Sequence, residues 1–132
     1  MSRTELREHI FKMLFRIEFN KEDEREEQET LYFELLEDVL ESDQKYILEK
    51  YQAILARLDE IDSILNELST GWKTSRMNRV DLAILRLATY EIKWDEEIPT
   101  GVAINEAVEL AKKYSSDSAP SFVNGVLAKV AN

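Results

Sequence analysis

Cysteine is absent from the 132 residues, which excludes a disulfide framework, thiol chemistry and thiolate zinc sites. Glycine and proline number only three and two, too few for the turn-dense sequences of sandwiches and barrels or for disordered tails. No apolar run approaches the length that spans a bilayer, and the N-terminus lacks the apolar segment of a signal peptide. Histidine occurs once, as His9, so the many carboxylates have no imidazole cluster to complete a metal site. Its place beside the apolar stripe of the first helix reads as a solvated surface histidine. P-loop, G-x-G-x-x-G and nucleophile-elbow patterns are also missing. These absences predict a soluble, cytoplasmic, nearly all-helical protein, without a cofactor and without enzymatic activity.

What is present begins with charge. Acids outnumber bases 27 to 17, giving a net charge of −10, but the surplus is unevenly spread. Between Lys21 and Glu49 twelve acids stand against Lys21, Arg25 and Lys45. Between Gly71 and Lys93 the balance reverses, with Lys73, Arg76, Arg79, Arg86 and Lys93 against Asp81 and Glu91. The first helix adds Arg3, Arg7, Lys12 and Arg16. Such segregation suits a chain that holds a phosphate backbone with one part and a basic partner with another. Solvated helix faces give the same pattern, so charge alone does not decide.

Apolar spacing predicts six or seven helices. Ser2 and Glu5 form a capping box that opens a helix to about Phe19, with Leu6, Ile10, Met13, Leu14 and Ile17 as its inner stripe. Phe11, Phe15 and Phe19 make a second, offset stripe, which reads as a broad core or as a patch for a partner. A helix is expected from Glu27 to Leu40 with Leu31, Leu35, Leu36 and Val39 inward. Ser42-Asp43 caps a single long helix carrying Ile47, Tyr51, Ile54, Leu58, Ile61, Leu65 and Leu68, which Ser69-Thr70-Gly71 ends. Trp72 to Arg76 is a short, partly helical piece. Val80 to Trp94 is apolar almost all round, as a central helix should be, and Glu91 falls on its inner side. Pro99 and Gly101 precede a helix from Val102 to Tyr114, and Pro120 suits the first turn of the last one. The expected architecture is one all-α domain of two packed three-helix sub-bundles, about residues 1–70 and 71–132.

The last helix carries a contradiction. In "SFVNGVLAKV" the residues Val123, Val126, Leu127 and Val130 recur at helical spacing, yet Asn124-Gly125 usually marks a hairpin. Glycine inside a helix costs about 1 kcal/mol relative to alanine. A contact surface would explain it, with Gly125 admitting a close neighbour, Asn124 bonding a base edge or phosphate, and Phe122 stacking on an unpaired base. Packing of Phe122 in the core is the competing reading.

Two stretches carry a family resemblance. The run V-x-x-A-I-L-R-L-A-x-Y-E, then I-P, A-I-N-E-A-V-E-L-A-K and F-V-N-G-V-L, all within residues 80–127, resembles the C-terminal half of the NusB family of bacterial transcription antitermination factors. "LREHIFKMLFRIEF" resembles that family's N-terminal helix, while residues 21–68 match only as helical pattern. The resemblance implies two three-helix bundles and a heterodimer with NusE (ribosomal protein S10). It also implies that the pair binds boxA RNA and joins an RNA polymerase antitermination complex that reads through ribosomal RNA operons. It places RNA contacts at Arg3, Arg7, Phe122 and Asn124, and partner contacts at Phe15, Phe19, Arg76 and Asp81. Lys12 and Arg79 are secondary basic helpers. Two departures stand out: Thr4-Glu5-Leu6 interrupt the arginine arm, and Ser118 replaces a frequent acid. A helical adaptor or homodimer with no RNA role is the alternative, and a fragment of an RNA methyltransferase a further one.

Overall fold

The computed structural model describes residues 1–69 and 71–132, in which seven α-helices and two short 3-10 turns occur and no strand is found. The chain divides into two compact units, Met1–Ala56 and Arg57–Asn132. The boundary falls earlier than the one expected near residue 70, because the expected long helix does not exist. It is broken at Arg57, whose φ of −114° and ψ of 16° leave the helical region. The Arg57 guanidinium lies 4.6 Å from the centre of the Trp94 ring, a tertiary contact that no local pattern announces.

The N-terminal unit contains α1 (Arg3–Arg16), α2 (Arg25–Glu34) and α3 (Glu41–Ala56). The capping box forms as expected: Glu5 N–H donates to Ser2 Oγ at 3.1 Å, and Ser2 N–H donates to Glu5 Oε1 at 3.3 Å. Such a cap contributes about 1 kcal/mol. Leu6, Ile10, Met13, Leu14 and Ile17 are buried, and α1 packs on α3, which buries Ile47, Tyr51 and Ile54.

The second helix differs from its expected form. It starts two residues earlier and stops at Glu34; Leu31 is exposed and Leu35 is 75% exposed. Tyr32 is the buried residue instead. Its hydroxyl lies 2.7 Å from His9 Nδ1, and the Arg16 guanidinium sits 4.9 Å above its ring. These polar contacts orient α2 by a face that the leucine spacing does not mark. Beyond it, Asp38 adopts a φ of 56°, a left-handed conformation that short polar side chains tolerate.

The C-terminal unit holds α4 (Leu58–Leu68), α5 (Arg79–Trp94), α6 (Thr100–Tyr114) and α7 (Ala119–Ala131), four helices where three were expected. Central α5 packs against the other three, and every residue from Asp81 to Thr89 is buried. Asn78 caps it, its Oδ1 accepting from Val80 N–H at 2.8 Å and Asp81 N–H at 3.4 Å. Arg86 grips Asp62 of α4 with two donors, Nε to Oδ1 at 2.9 Å and Nη2 to Oδ2 at 2.7 Å. Glu91 is buried as its register implied. Of the signal expected to end α4, Ser69 is the closing residue and Gly71 has a φ of 81°; Thr70 lies outside the described residues.

Helix α7 runs unbroken through Asn124-Gly125, with Pro120 in its first turn. The local hairpin signal loses to the apolar face formed by Val123, Val126, Leu127 and Val130, all buried. A Cβ built on Gly125 meets nothing within 4 Å, so no neighbouring part of the chain requires a glycine there. Gly125→Ala is therefore expected to stabilise the fold by about 0.5–1 kcal/mol. Urea unfolding checks this, and a loss of stability would mean that the helix is strained at that position.

Candidate nucleic-acid and partner surfaces

Four of the singled-out residues sit on or just after α1. Arg3, in its first turn, is exposed, whereas Arg7 is only 5% exposed. The two do not form an open pair of cations, because Arg7 lies one turn further along on the side that α1 buries. Phe15 is half-buried, and Phe19, beyond the helix end, is 66% exposed. Their ring centres are 5.0 Å apart. Phe11 is fully in the core, so the aromatic stripe grades from core to solvent along the helix. Lys12 pairs with Glu8 at 3.5 Å on the same helix.

His9 is not the solvated residue expected from its position. It is half-buried against Tyr32, edge to face at 5.8 Å. Burial first, and then the Lys12 charge, hold its pKa below the ordinary 6.5. The neutral ring is thus favoured by the fold, and the unfolded chain takes up the proton more readily. The stability due to His9 is complete above pH 6.5 and is lost as pH falls through that value towards the lowered folded pKa. Melting temperatures between pH 7.5 and 5.5 should fall less steeply for His9→Gln than for the native chain (an exploratory window set about the ordinary histidine pKa). Parallel curves would show that His9 carries none of the dependence.

The acidic segment shapes a groove in the N-terminal unit. Glu22, Glu26, Glu29 and Glu34 line a space of about 820 Å³ with Phe33 and Leu48. Burial and neighbouring Glu26 push the Glu29 carboxyl above its usual range, against a hydrogen bond from Gln52. Among the described residues no group of three or more His, Cys, Asp or Glu side chains is placed to hold a metal ion.

The remaining candidates belong to the C-terminal unit. Arg76 is exposed at the end of the 3-10 turn Thr74–Arg76. Asp81, three residues after the Asn78 cap, is 8% exposed and accepts a hydrogen bond from Ser115 Oγ at 2.6 Å. An acid in the first turn also suits the helix dipole. On α7, Asn124 is exposed and Phe122 half-buried. Arg79 Nη2 donates to the Ser75 carbonyl at 3.5 Å, so it closes its own turn.

The structure does not keep Asp81 and Phe122 on separate surfaces, as the sequence reading had them. Both line one cavity of about 230 Å³, together with Trp72, Met77, Asn78 and Ser118. Trp72, which sequence reasoning passed over as the start of a short segment, is 53% exposed and meets Phe122 edge to face at 6.2 Å. The turn that delivers it is closed by Trp72 N–H donating to the Ser69 carbonyl at 3.0 Å. Its being one of two tryptophans in the chain was the signal available to find it.

Comparison with known proteins agrees with this architecture. The family model described as the NusB family matches residues 4–132. The chain is 55% identical to the transcription antitermination protein NusB of Lachnoclostridium phytofermentans over 98% of both chains. It is also similar to the solved structure of T. maritima NusB, with a TM-score of 0.88 and 32% identity over 99% of this chain and 91% of that one. A further structure, of antitermination factors NusB and NusE in complex with double-stranded RNA, shares the fold, with a TM-score of 0.83. It is 24% identical over 98% of this chain and 95% of that one. Among the described residues no helix is long and apolar enough to cross a membrane.

Proposed function

The chain belongs to the NusB family, and from that premise we propose that it binds boxA-type single-stranded RNA together with NusE. In this reading it acts in the cytoplasm, within an RNA polymerase antitermination complex that reads through ribosomal RNA operons. The observation that carries the RNA part is the surface of α7, where exposed Asn124 follows half-buried Phe122 by two residues. An aromatic ring open on one side stacks on any unpaired base, and an amide supplies both a donor and an acceptor for a base edge or phosphate. Arg3 is an exposed cation in the first turn of α1 for the phosphate backbone. Arg7, buried, is left to hold the helix rather than to reach RNA.

The partner part rests on Phe15 and Phe19, an apolar pair with one ring largely in solvent, and on Arg76 and Asp81 in the other unit. Aromatic side chains are enriched in the cores of interfaces and polar ones at their rims. Free of NusE, the chain would have this pair to cover, and self-association through it is the form a homodimer would take.

Titration of boxA RNA against the NusE complex of Phe122→Ala and Asn124→Ala tests the RNA part. Phe122→Ala should weaken binding by about 1–3 kcal/mol through lost stacking, and Asn124→Ala by about 1 kcal/mol through one hydrogen bond. Thermal melts run alongside separate recognition from packing. A large fall in melting temperature with RNA affinity preserved among folded molecules would assign Phe122 to the core.

A further inference from the structure

We propose that the groove between α2 and α3 receives a basic amphipathic helix of a protein partner. The groove lies within the N-terminal unit and encloses about 820 Å³. Its apolar part is Phe33 of α2 and Leu48 of α3, both half-buried and left uncovered by the chain itself. Leu40, Gln44, Leu48 and Gln52 follow at four-residue spacing, which sets them along one face of α3. Leu40 extends that face by a turn, its carbonyl accepting from Gln44 N–H at 3.0 Å, and is 65% exposed. From Leu40 to Gln52 the face runs about 18 Å, the length of about twelve helical residues.

The opposite wall is charged. Glu22, Glu26, Glu29 and Glu34 line it, and Arg25 is the one cation among the lining residues. Among the described residues none of the four carboxylates stands in an ion pair. Burial pushes the Glu29 carboxyl above its usual range, so a cation brought beside it would be favoured. None of the residues assigned above to RNA or NusE lines the groove, so it adds a docking site to theirs.

An apolar strip beside an uncompensated acidic wall selects the ligand class. An amphipathic helix carries its apolar side chains in a stripe along one face, and an apolar groove takes that stripe. Lysine and arginine at the edges of the stripe cover apolar surface with their stems and hold their charges out to the carboxylates. RNA is disfavoured, because each phosphate would enter a field of uncompensated negative charge. A compact polyamine would meet the carboxylates but leave Phe33 and Leu48 uncovered.

Fluorescence anisotropy tests this with a labelled synthetic helix of leucine and lysine, about fifteen residues long, titrated with the full chain at about 0.15 M salt. Its leucines lie on one face, and a scrambled peptide of the same composition controls for charge alone. The native chain should bind the ordered peptide about ten-fold or more tighter than the scrambled one. Glu26→Lys and Gln44→Lys, exposed and one on each helix, should each weaken the ordered peptide about ten-fold. Leu48→Ser should do as much, with circular dichroism as the check on folding. Affinity for NusE and for boxA RNA should stay unchanged in the two lysine variants. Equal binding of the two peptides would overturn the proposal, as would no binding of either, or an affinity that both lysine variants leave intact. Loss of NusE affinity in those variants would make the groove part of the NusE surface and overturn it as a separate site.

Discussion

Arg86→Ala is expected to cost the fold about 3–5 kcal/mol, the penalty for leaving one member of a buried ion pair uncompensated. The Arg86 side chain is 7% exposed and that of Asp62 24%, so removing the guanidinium strands a carboxylate that water reaches poorly. The pair ties α4 to the middle of α5, the helix whose first turn presents Asp81. Loss of the tie should therefore loosen the candidate partner surface as well as the core. Urea unfolding of Arg86→Ala and of the double variant Arg86→Met with Asp62→Leu separates charge from packing. The double variant should recover most of the loss, because a well-packed apolar pair of similar volume replaces a buried ion pair at little cost. A single variant that loses less than about 1 kcal/mol would show the pair to be as weak as a surface bridge.

Phe15→Ala is expected to weaken NusE association by about 2 kcal/mol, roughly thirty-fold, while helical content is kept. Phe15 is half-buried and packs at a tilt against Phe19, so truncation removes contact area and the support of the more exposed ring together. Asp81→Lys should act in the same direction by opposing a basic partner at encounter. Equal affinity for native and Phe15→Ala chains, with native circular dichroism, would remove this surface from the account.

The parts of the fold legible in the sequence were those written in local pattern. The Ser2–Glu5 capping box, the inner stripe of α1, the apolar surround of α5 and the Pro120 start of α7 all depend on residues within a turn or two of one another. What escaped was set by contacts distant along the chain. Nothing local breaks the run from Ser42 to Leu68, since no glycine or proline interrupts it, and the break at Arg57 accompanies a ring of α5. The leucines at 31 and 35 have the spacing of a core stripe, yet α2 is held by Tyr32 and His9, 23 residues apart. Gly125 is the reverse case: a strong local turn signal yields to the apolar face that the helical spacing of Val123, Val126, Leu127 and Val130 already marked. For the candidate sites, residue types were legible but grouping was not. Asp81 and Phe122 came from separate motifs assigned to separate surfaces, and only the fold brings them to one cavity with Trp72.

The central claim is that RNA recognition is shared with NusE. It is tested most directly by a mobility-shift titration of boxA RNA at about 0.15 M salt, where exposed charges are largely screened, with NusE absent and then added. A net charge of −10 and a single exposed arginine in the first turn of α1 predict weak binding by the chain alone and a marked gain in affinity once NusE is present. Nanomolar binding without NusE, or a shift that NusE leaves unchanged, would contradict the account.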